Sequence, residues 1–156
     1  MKNRTCCFTG HREIPASELP YITERLREEI VSLINNDVIY YGAGGALGFD
    51  TLASQTVLKL KKDYPNIKLI LVLPCRSQTK GWSKKDIEEY ERIKRLCDKC
   101  VYTSEEYTYG CMQKRNRHLV DHSGHCICYL NKSHGGTYYT VSYADSQGLD
   151  IINTAR

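Results

Sequence analysis

Apolar residues recur along this chain in two patterns. Short, nearly unbroken apolar runs predict strands: "RTCCFT" at 4–9, "VIYY" at 38–41, "IKLILVLP" at 67–74, "CVYTS" at 100–104, "HCICYL" at 125–130 and "DIIN" at 150–153. Between them, apolar positions three and four apart predict helices. Ile22, Leu26, Ile30, Leu33 and Ile34 form one stripe over 17–36, with Ser17 as N-cap and Pro20 in the first turn. Phe49, Leu52, Ala53, Thr56, Val57 and Leu60 give a second helix with one buried face, ended by Tyr64-Pro65-Asn66. Ser83 with Asp86 forms a capping box opening a third, which runs to about Cys97. Residues 112–122 and 137–147 complete the set. Strands that are apolar throughout are buried on both faces, and strands separated by helices pair in parallel. The expectation is a Rossmann-like α/β fold: a three-layer sandwich with a mostly parallel sheet, 38–41 and 67–74 as interior strands, and one domain over 1–156. No repeat, linker or low-complexity tract interrupts it.

Ligands of such sheets bind beyond the carboxyl ends of the strands, near the point where strand order reverses. The segments after each strand therefore carry the chemistry. "GAGGALGFD" at 42–50 is dense in glycine and opens a helix, where N–H groups and the helix dipole favour an anion. Its spacing matches neither GxGxxG nor a Walker loop. A plain turn and a phosphate loop are both open readings. Gly44, Gly45 and Gly48 are expected to bring backbone N–H groups to a phosphate, so that Gly45→Val costs binding and leaves the fold intact. A second glycine turn, Gly135-Gly136-Thr137, also joins a strand to a helix, and Gly10-His11-Arg12 follows the first strand. Together these suggest a multi-point anion and nucleotide cradle. Met112, Arg115 or Asn116, and Leu119 share one helix face; a buried Arg needs a polar partner, which is either a strand end or a phosphate. Arg12 or Arg76 is expected at the rim. Trp82 and Tyr109 sit in loops on the site side and either stack on a base or cover the core edge. Asp50 opens a helix, where first-turn charge is favourable in itself.

Bulk properties narrow the setting. The 156 residues are 41% hydrophobic and 26% charged, which is ordinary globular composition. The net charge of +4 permits an anionic ligand and is too mild for a nucleic-acid partner to be expected. The opening residues lack an apolar stretch of signal-peptide length and no run reaches transmembrane length, so a cytoplasmic protein without membrane contact is expected. The eight cysteines are then reduced; one CxxC, Cys97 and Cys100, lacks a second pair, so neither zinc nor a disulfide is expected. The five histidines show no metal spacing.

In order, "FTGHR", "GGALGFD", "CMQKRNRHLVDHS" and "GGTYYTVSYA" resemble the SLOG superfamily, named for the Smf/DprA and lonely-guy proteins, and within it the YpsA-like branch. The resemblance covers nearly the whole chain. It implies a Rossmann-like fold and a nucleotide or nucleotide-derived ligand, with no certain cofactor, no metal and no established reaction for the branch. Lonely-guy enzymes cleave the N-glycosidic bond of nucleoside 5′-monophosphates through M-x-x-R-K and P-G-G-x-G-T-x-x-E motifs. Met112 and Arg115 match the first, with Asn116 in place of Lys; Gly135 and Gly136 match the second. Tyr138 and Tyr139 then replace Gly-Thr, and Ser142 stands at the spacing of the catalytic Glu. Two functions follow: a sensor or regulatory protein that binds a phosphate-containing nucleotide, or a phosphoribohydrolase-like enzyme using another carboxylate, Asp50 or Glu13. DprA-like single-stranded DNA binding is a third and weaker alternative. Homo-oligomerisation is left open.

Overall fold

The structure, a computed structural model, describes residues 2–156. A short 3-10 turn, Lys2–Arg4, leads into an alternating chain: β1 (Thr5–Gly10), α1 (Leu19–Asn35), β2 (Tyr40–Ala43), α2 (Phe49–Leu60), β3 (Lys68–Leu73), α3 (Lys84–Leu96), β4 (Lys99–Tyr102), α4 (Cys111–Asp121), β5 (His125–Tyr129), α5 (Gly136–Ser146) and β6 (Asp150–Asn153). The strands form one sheet in the order β4-β3-β2-β1-β5-β6, and every pairing is parallel. This is the Rossmann-like α/β architecture the hydrophobic pattern predicts, with β2 and β3 interior.

Side chains alternate across each strand and so divide the core in two. Phe8, Tyr41, Leu69, Leu71, Leu73, Ile127 and Tyr129 point to one face, where they pack with Ile22, Leu26 and Ile30 of α1, Ala53, Val57 and Leu60 of α2, and Ile93 of α3. Cys7, Val72, Cys126 and Cys128 point to the other, against Leu119 and Val120 of α4 and Ala144 of α5. The strand-borne cysteines Cys6, Cys7, Cys126 and Cys128 are at most 1% exposed and behave as small hydrophobes. Burial pushes the Cys128 thiol up to about 12 and raises Cys6 as well. All eight cysteines are free thiols. Among the described residues, no helix is long and apolar enough to cross a membrane.

Element ends differ from the sequence expectation in two informative places. Helix α1 starts at Leu19, because the N–H groups of Glu18 and Leu19 both bond to the Pro15 carbonyl, at 2.9 and 3.1 Å. That turn leaves Ser17 outside, and Glu18 takes the N-cap position without a side-chain cap bond. Strand β2 starts at Tyr40, because Val38 N–H is still bonded back to the Leu33 carbonyl at 3.0 Å, across Asp37 at φ 66°. The shift draws Gly42 into the sheet. There α4 lies directly on it: an added Cβ would stand 2.9 Å from Leu119 Cδ2. Elsewhere the reading holds closely. Ser83 caps α3, its hydroxyl accepting from Asp86 N–H at 3.1 Å.

The strand order also locates the site. The chain starts in the middle of the sheet, runs outward from β1 to β4, then crosses to β5 on the other side of β1. The order reverses between β1 and β5, and a crevice opens beyond the carboxyl ends of those strands.

Candidate functional site

A cavity of about 400 Å³ occupies that crevice. Its walls are Thr9, Gly10, His11 and Arg12 from the end of β1, Ala46 and Asp50 from the β2–α2 connection, Met112, Arg115 and Asn116 from α4, and Lys132, His134, Gly135, Gly136 and Thr137 from the β5–α5 connection. The volume falls in the range usual for small-molecule sites. A larger concavity, about 960 Å³, lies away from this chemistry on the sheet face beside α4.

Arg115 is the centre of the site. It is 4% exposed. Its Nη1 donates to the Gly44 carbonyl, its Nε donates to Asn116 Oδ1 at 2.7 Å, and its Nη2 lies 3.9 Å from Met112 Sδ. Asn116 thus orients the guanidinium from the next position on α4. The Gly44 carbonyl is shared, since Gln78 Nε2 donates to it at 3.1 Å, and Gln78 Oε1 accepts from the Tyr90 hydroxyl at 3.1 Å. This chain of bonds fixes the glycine loop to α4 on one side and to the β3–α3 connection on the other.

Asp50 lies at the floor, 6% exposed, accepting from Ala46 N–H at 3.2 Å. Burial raises its pKa, opposed by the nearby positive charges of Arg115 and Arg12. Burial lowers that of Arg115, opposed by Asp50. Each charge makes the other tolerable in a dry site. Asp50 is the one carboxylate among the cavity-lining residues. His11 Nε2 accepts from Asn131 N–H at 3.1 Å, so Nδ1 carries the proton of the neutral ring. Burial, with Lys132 and His134 nearby, lowers its pKa and keeps it neutral near pH 7.

The two glycine turns differ in kind. In the first, the missing side chains make room for the protein itself. A Cβ on Gly44 would stand 2.5 Å from Arg115 Nη1; on Gly45, 2.5 Å from Leu73 Cδ2; on Gly48, 2.2 Å from the Arg12 carbonyl oxygen. Gly45 and Gly48 also hold φ of 75° and 76°. The first N–H of α2, at Phe49, is taken by the His11 carbonyl at 3.1 Å. The expectation that Gly45→Val leaves the fold intact is therefore corrected: its side chain would strike Leu73, Gln78 and Tyr90 from a strained backbone. Gly44, Gly45 and Gly48 do not line the cavity; the loop enters it through Ala46 and Asp50.

In the second turn nothing stands within 4 Å of a Cβ built on Gly135 or Gly136. Gly135, at φ 96°, is the N-cap of α5 and makes no side-chain cap bond. The N-terminus of this 11-residue helix thus forms part of the cavity wall, which Lys132, His134, Arg115, Arg12 and His11 also line. The cationic side chains of the cavity and the N-terminus of α5 thus share one lining.

Of the residues singled out from sequence, Gly10, His11, Arg12, Asp50, Met112, Arg115, Asn116, Gly135, Gly136 and Thr137 line one cavity. Arg76 does not reach it: it pairs with Glu105 at 2.8 Å and lies 4.3 Å over the Tyr102 ring. Trp82 packs edge-on against Tyr90 at 5.5 Å, and Tyr109 is fully exposed. Glu13 is exposed and outside the lining, as is Ser142 on α5. Sequence reasoning missed Gln78, Tyr90 and Lys132. Lys132 flanks the second glycine turn and was visible as a cation there; the Gln78–Tyr90 pair is formed by tertiary contact alone.

Comparison with known proteins identifies the family and the fold. The model of the YspA SLOG family matches residues 6–149. The chain is 32% identical over 136 residues to the uncharacterised SPbeta prophage-derived protein YoqJ of Bacillus subtilis, covering 79% of this chain and 80% of the relative. It is 23% identical over 132 residues to the UPF0398 protein YpsA of the same organism, covering 83% and 73%. Among solved structures it resembles DNA processing protein A from Streptococcus pneumoniae, with TM-score 0.70, 18% identity, and 96% of this chain against 49% of that one. A second is the same-named protein from Helicobacter pylori, whose structure is described for its single-stranded DNA binding mode, with TM-score 0.69, 18% identity, and 96% against 64%. The chain thus spans about half to two thirds of those structures. A model match running from β1 to the end of α5, together with the identity to YoqJ, shows that the chain belongs to the YspA SLOG family.

Proposed function

We propose that this protein binds a nucleotide or nucleotide-derived ligand through its phosphate, and that it works as a sensor or regulatory protein. The phosphate sits at the open N-terminus of α5, on the backbone N–H groups of 135–137. The observation that carries the reading is the unfilled space beside Gly135 and Gly136, in the wall of the same cavity that the buried Arg115 lines. Arg12 and Lys132, both exposed, add positive charge to the lining, and the neutral His11 contributes a donor at Nδ1. The ligand belongs to a cytoplasmic setting, in which the buried thiols stay reduced.

A second reading is favoured by one observation. Asp50 is the carboxylate of this cavity, and burial raises its pKa toward the range of a general base. In that reading the protein cleaves the N-glycosidic bond of its nucleotide, with Asp50 activating the water. The likeness to DNA processing protein A weighs against setting nucleic acid aside as a partner. A DNA strand would use the same phosphate-binding groups at the cavity mouth.

Calorimetric titration of the full chain with AMP, ADP-ribose, NAD and a short oligothymidylate, with chromatography for free base, separates the three. Binding without base release supports the sensor. Base release abolished by Asp50→Asn supports the hydrolase. Oligonucleotide binding that a mononucleotide does not compete away supports the DNA reading. The absence of any binding refutes the site.

A further inference from the structure

The two faces of the sheet are unequally covered. Helices α1, α2 and α3 pack on one; only α4 and α5 pack on the other. Helix α5 lies over β1, β5 and β6, and α4 over β1 and β3. Among the described residues, no helix packs closely over the edge strand β4 on that side. Tyr40 of β2, Ile70 and Val72 of β3, and Val101 of β4 point by strand alternation to this open face, and Thr103 follows just beyond β4. They form the floor of the groove of about 960 Å³, with Leu119 of α4 along its inner wall. Ile70, Val101 and Tyr40 remain half-exposed, which leaves a parallel sheet with aliphatic surface in water.

The rim of the groove is basic. Lys99 at the start of β4 and Lys114 and Arg117 along α4 are exposed, with His118 and His122 beside them. The one acidic residue of the lining, Asp121, accepts from the Tyr143 hydroxyl at 2.6 Å, and Arg117 lies 4.8 Å over the same ring, so cations outnumber the single carboxylate along the rim. We propose that this groove docks an amphipathic helix of a partner protein, apolar on the face that meets Ile70, Val72 and Val101, and acidic along the flanks that meet Lys99, Lys114 and Arg117. A helix laid beside α4 completes the missing cover of β3 and β4, the ordinary way such a sheet is closed. A second copy of this chain would bring two basic rims together, which like-charge repulsion opposes. A nucleic acid would set its phosphates against an aliphatic floor, where a strand-binding groove carries cations and stacking rings. The groove shares no lining residue with the candidate ligand cavity, so the inference stands apart from the proposed function.

The test uses the full chain with labelled Ile, Leu and Val methyls and two synthetic helical peptides. Both carry Leu on one face; one has Glu on its flanks and its twin has Lys. The Glu-flanked peptide is expected to shift the methyls of Ile70, Val72, Val101 and Leu119, and to bind at least about tenfold more tightly than its twin. The exposed double variant Lys99→Glu/Lys114→Glu should reverse that order while melting with the wild type. Equal affinities, or no methyl shifts with either peptide, overturn the proposal. So do shifts of the same methyls caused by protein concentration alone, which would mark a self-association surface, or by an oligonucleotide.

Discussion

Gly48→Ala and Gly136→Ala remove the same amount of backbone freedom and should have opposite consequences. At Gly48 the backbone holds φ 76° and ψ −118°, a region open to glycine and costly for alanine by about 1–3 kcal/mol. The new Cβ would stand 2.2 Å from the carbonyl oxygen and 2.4 Å from the carbonyl carbon of Arg12, backbone atoms that cannot swing aside. Displacing that segment adds about 1–3 kcal/mol of overpacking. The sum, about 2–6 kcal/mol, lowers Tm by roughly 5–20 °C for a chain of this size. At Gly136 there is no positive φ and nothing within 4 Å. Alanine there should leave Tm unchanged or slightly raised, as expected at the start of a helix. Its methyl group enters the space a phosphate would use, and losing one charge-assisted hydrogen bond weakens binding by about ten- to a hundredfold. Differential scanning fluorimetry and calorimetric titration with AMP read both effects on the same samples. If Gly48→Ala melts with the wild type, the account of the first glycine turn is wrong. If Gly136→Ala binds as the wild type does, the second turn is no phosphate site.

Three further outcomes follow from the buried groups. Arg115→Ala strands the Asp50 charge and should cost about 3–5 kcal/mol in urea unfolding, with Asp50→Asn in the same chain restoring part of it; simple additivity of the two substitutions would refute the coupling. Because burial raises the folded-state pKa of Asp50, the stability linked to this group is full below the unfolded carboxylate value and is lost as pH rises through the folded one. The acid-side slope of stability against pH should therefore change in Asp50→Asn, and an unchanged slope would contradict the burial argument. Cys6, Cys7, Cys126 and Cys128 should resist a thiol reagent at neutral pH until the chain is unfolded, since they are buried and the Cys128 thiol is held near about 12; rapid labelling of the native protein at these positions would refute this.

The fold was legible because its central strands are largely apolar and helical stripes separate them, so that period and order suffice. Strand β6, Asp150–Asn153, matches the expected residues one for one. The errors in element ends lie where a turn bond of the neighbouring residues overrides the apolar and capping pattern, as at Ser17, displaced by the Pro15 turn, and at Val38, held back on α1. The site was legible in part. His11 after β1 and Gly136 after β5 come together because topology makes those two strands neighbours at the switch point, and α4, on its way from β4 to β5, brings Arg115 to them. Arg76 and Trp82 follow β3, two strands away from β1, and are turned to Tyr102 and Tyr90. The density of glycine in 42–48 does not distinguish a ligand's approach from a neighbour's. What fills the space beside each glycine is decided by Arg12, Leu73 and Arg115, residues distant in sequence.

The central claim is that a phosphate binds on the N–H groups opening α5. Its most direct test is an amide NMR titration of the full chain with AMP, using inorganic phosphate as a second probe. The account predicts saturable shifts concentrated at Gly135, Gly136 and Thr137 and at the Arg115 side chain, with the amides of 44–48 moving far less. Saturating AMP that leaves the amides of 135–137 in place, or that shifts the first glycine turn alone, would contradict it.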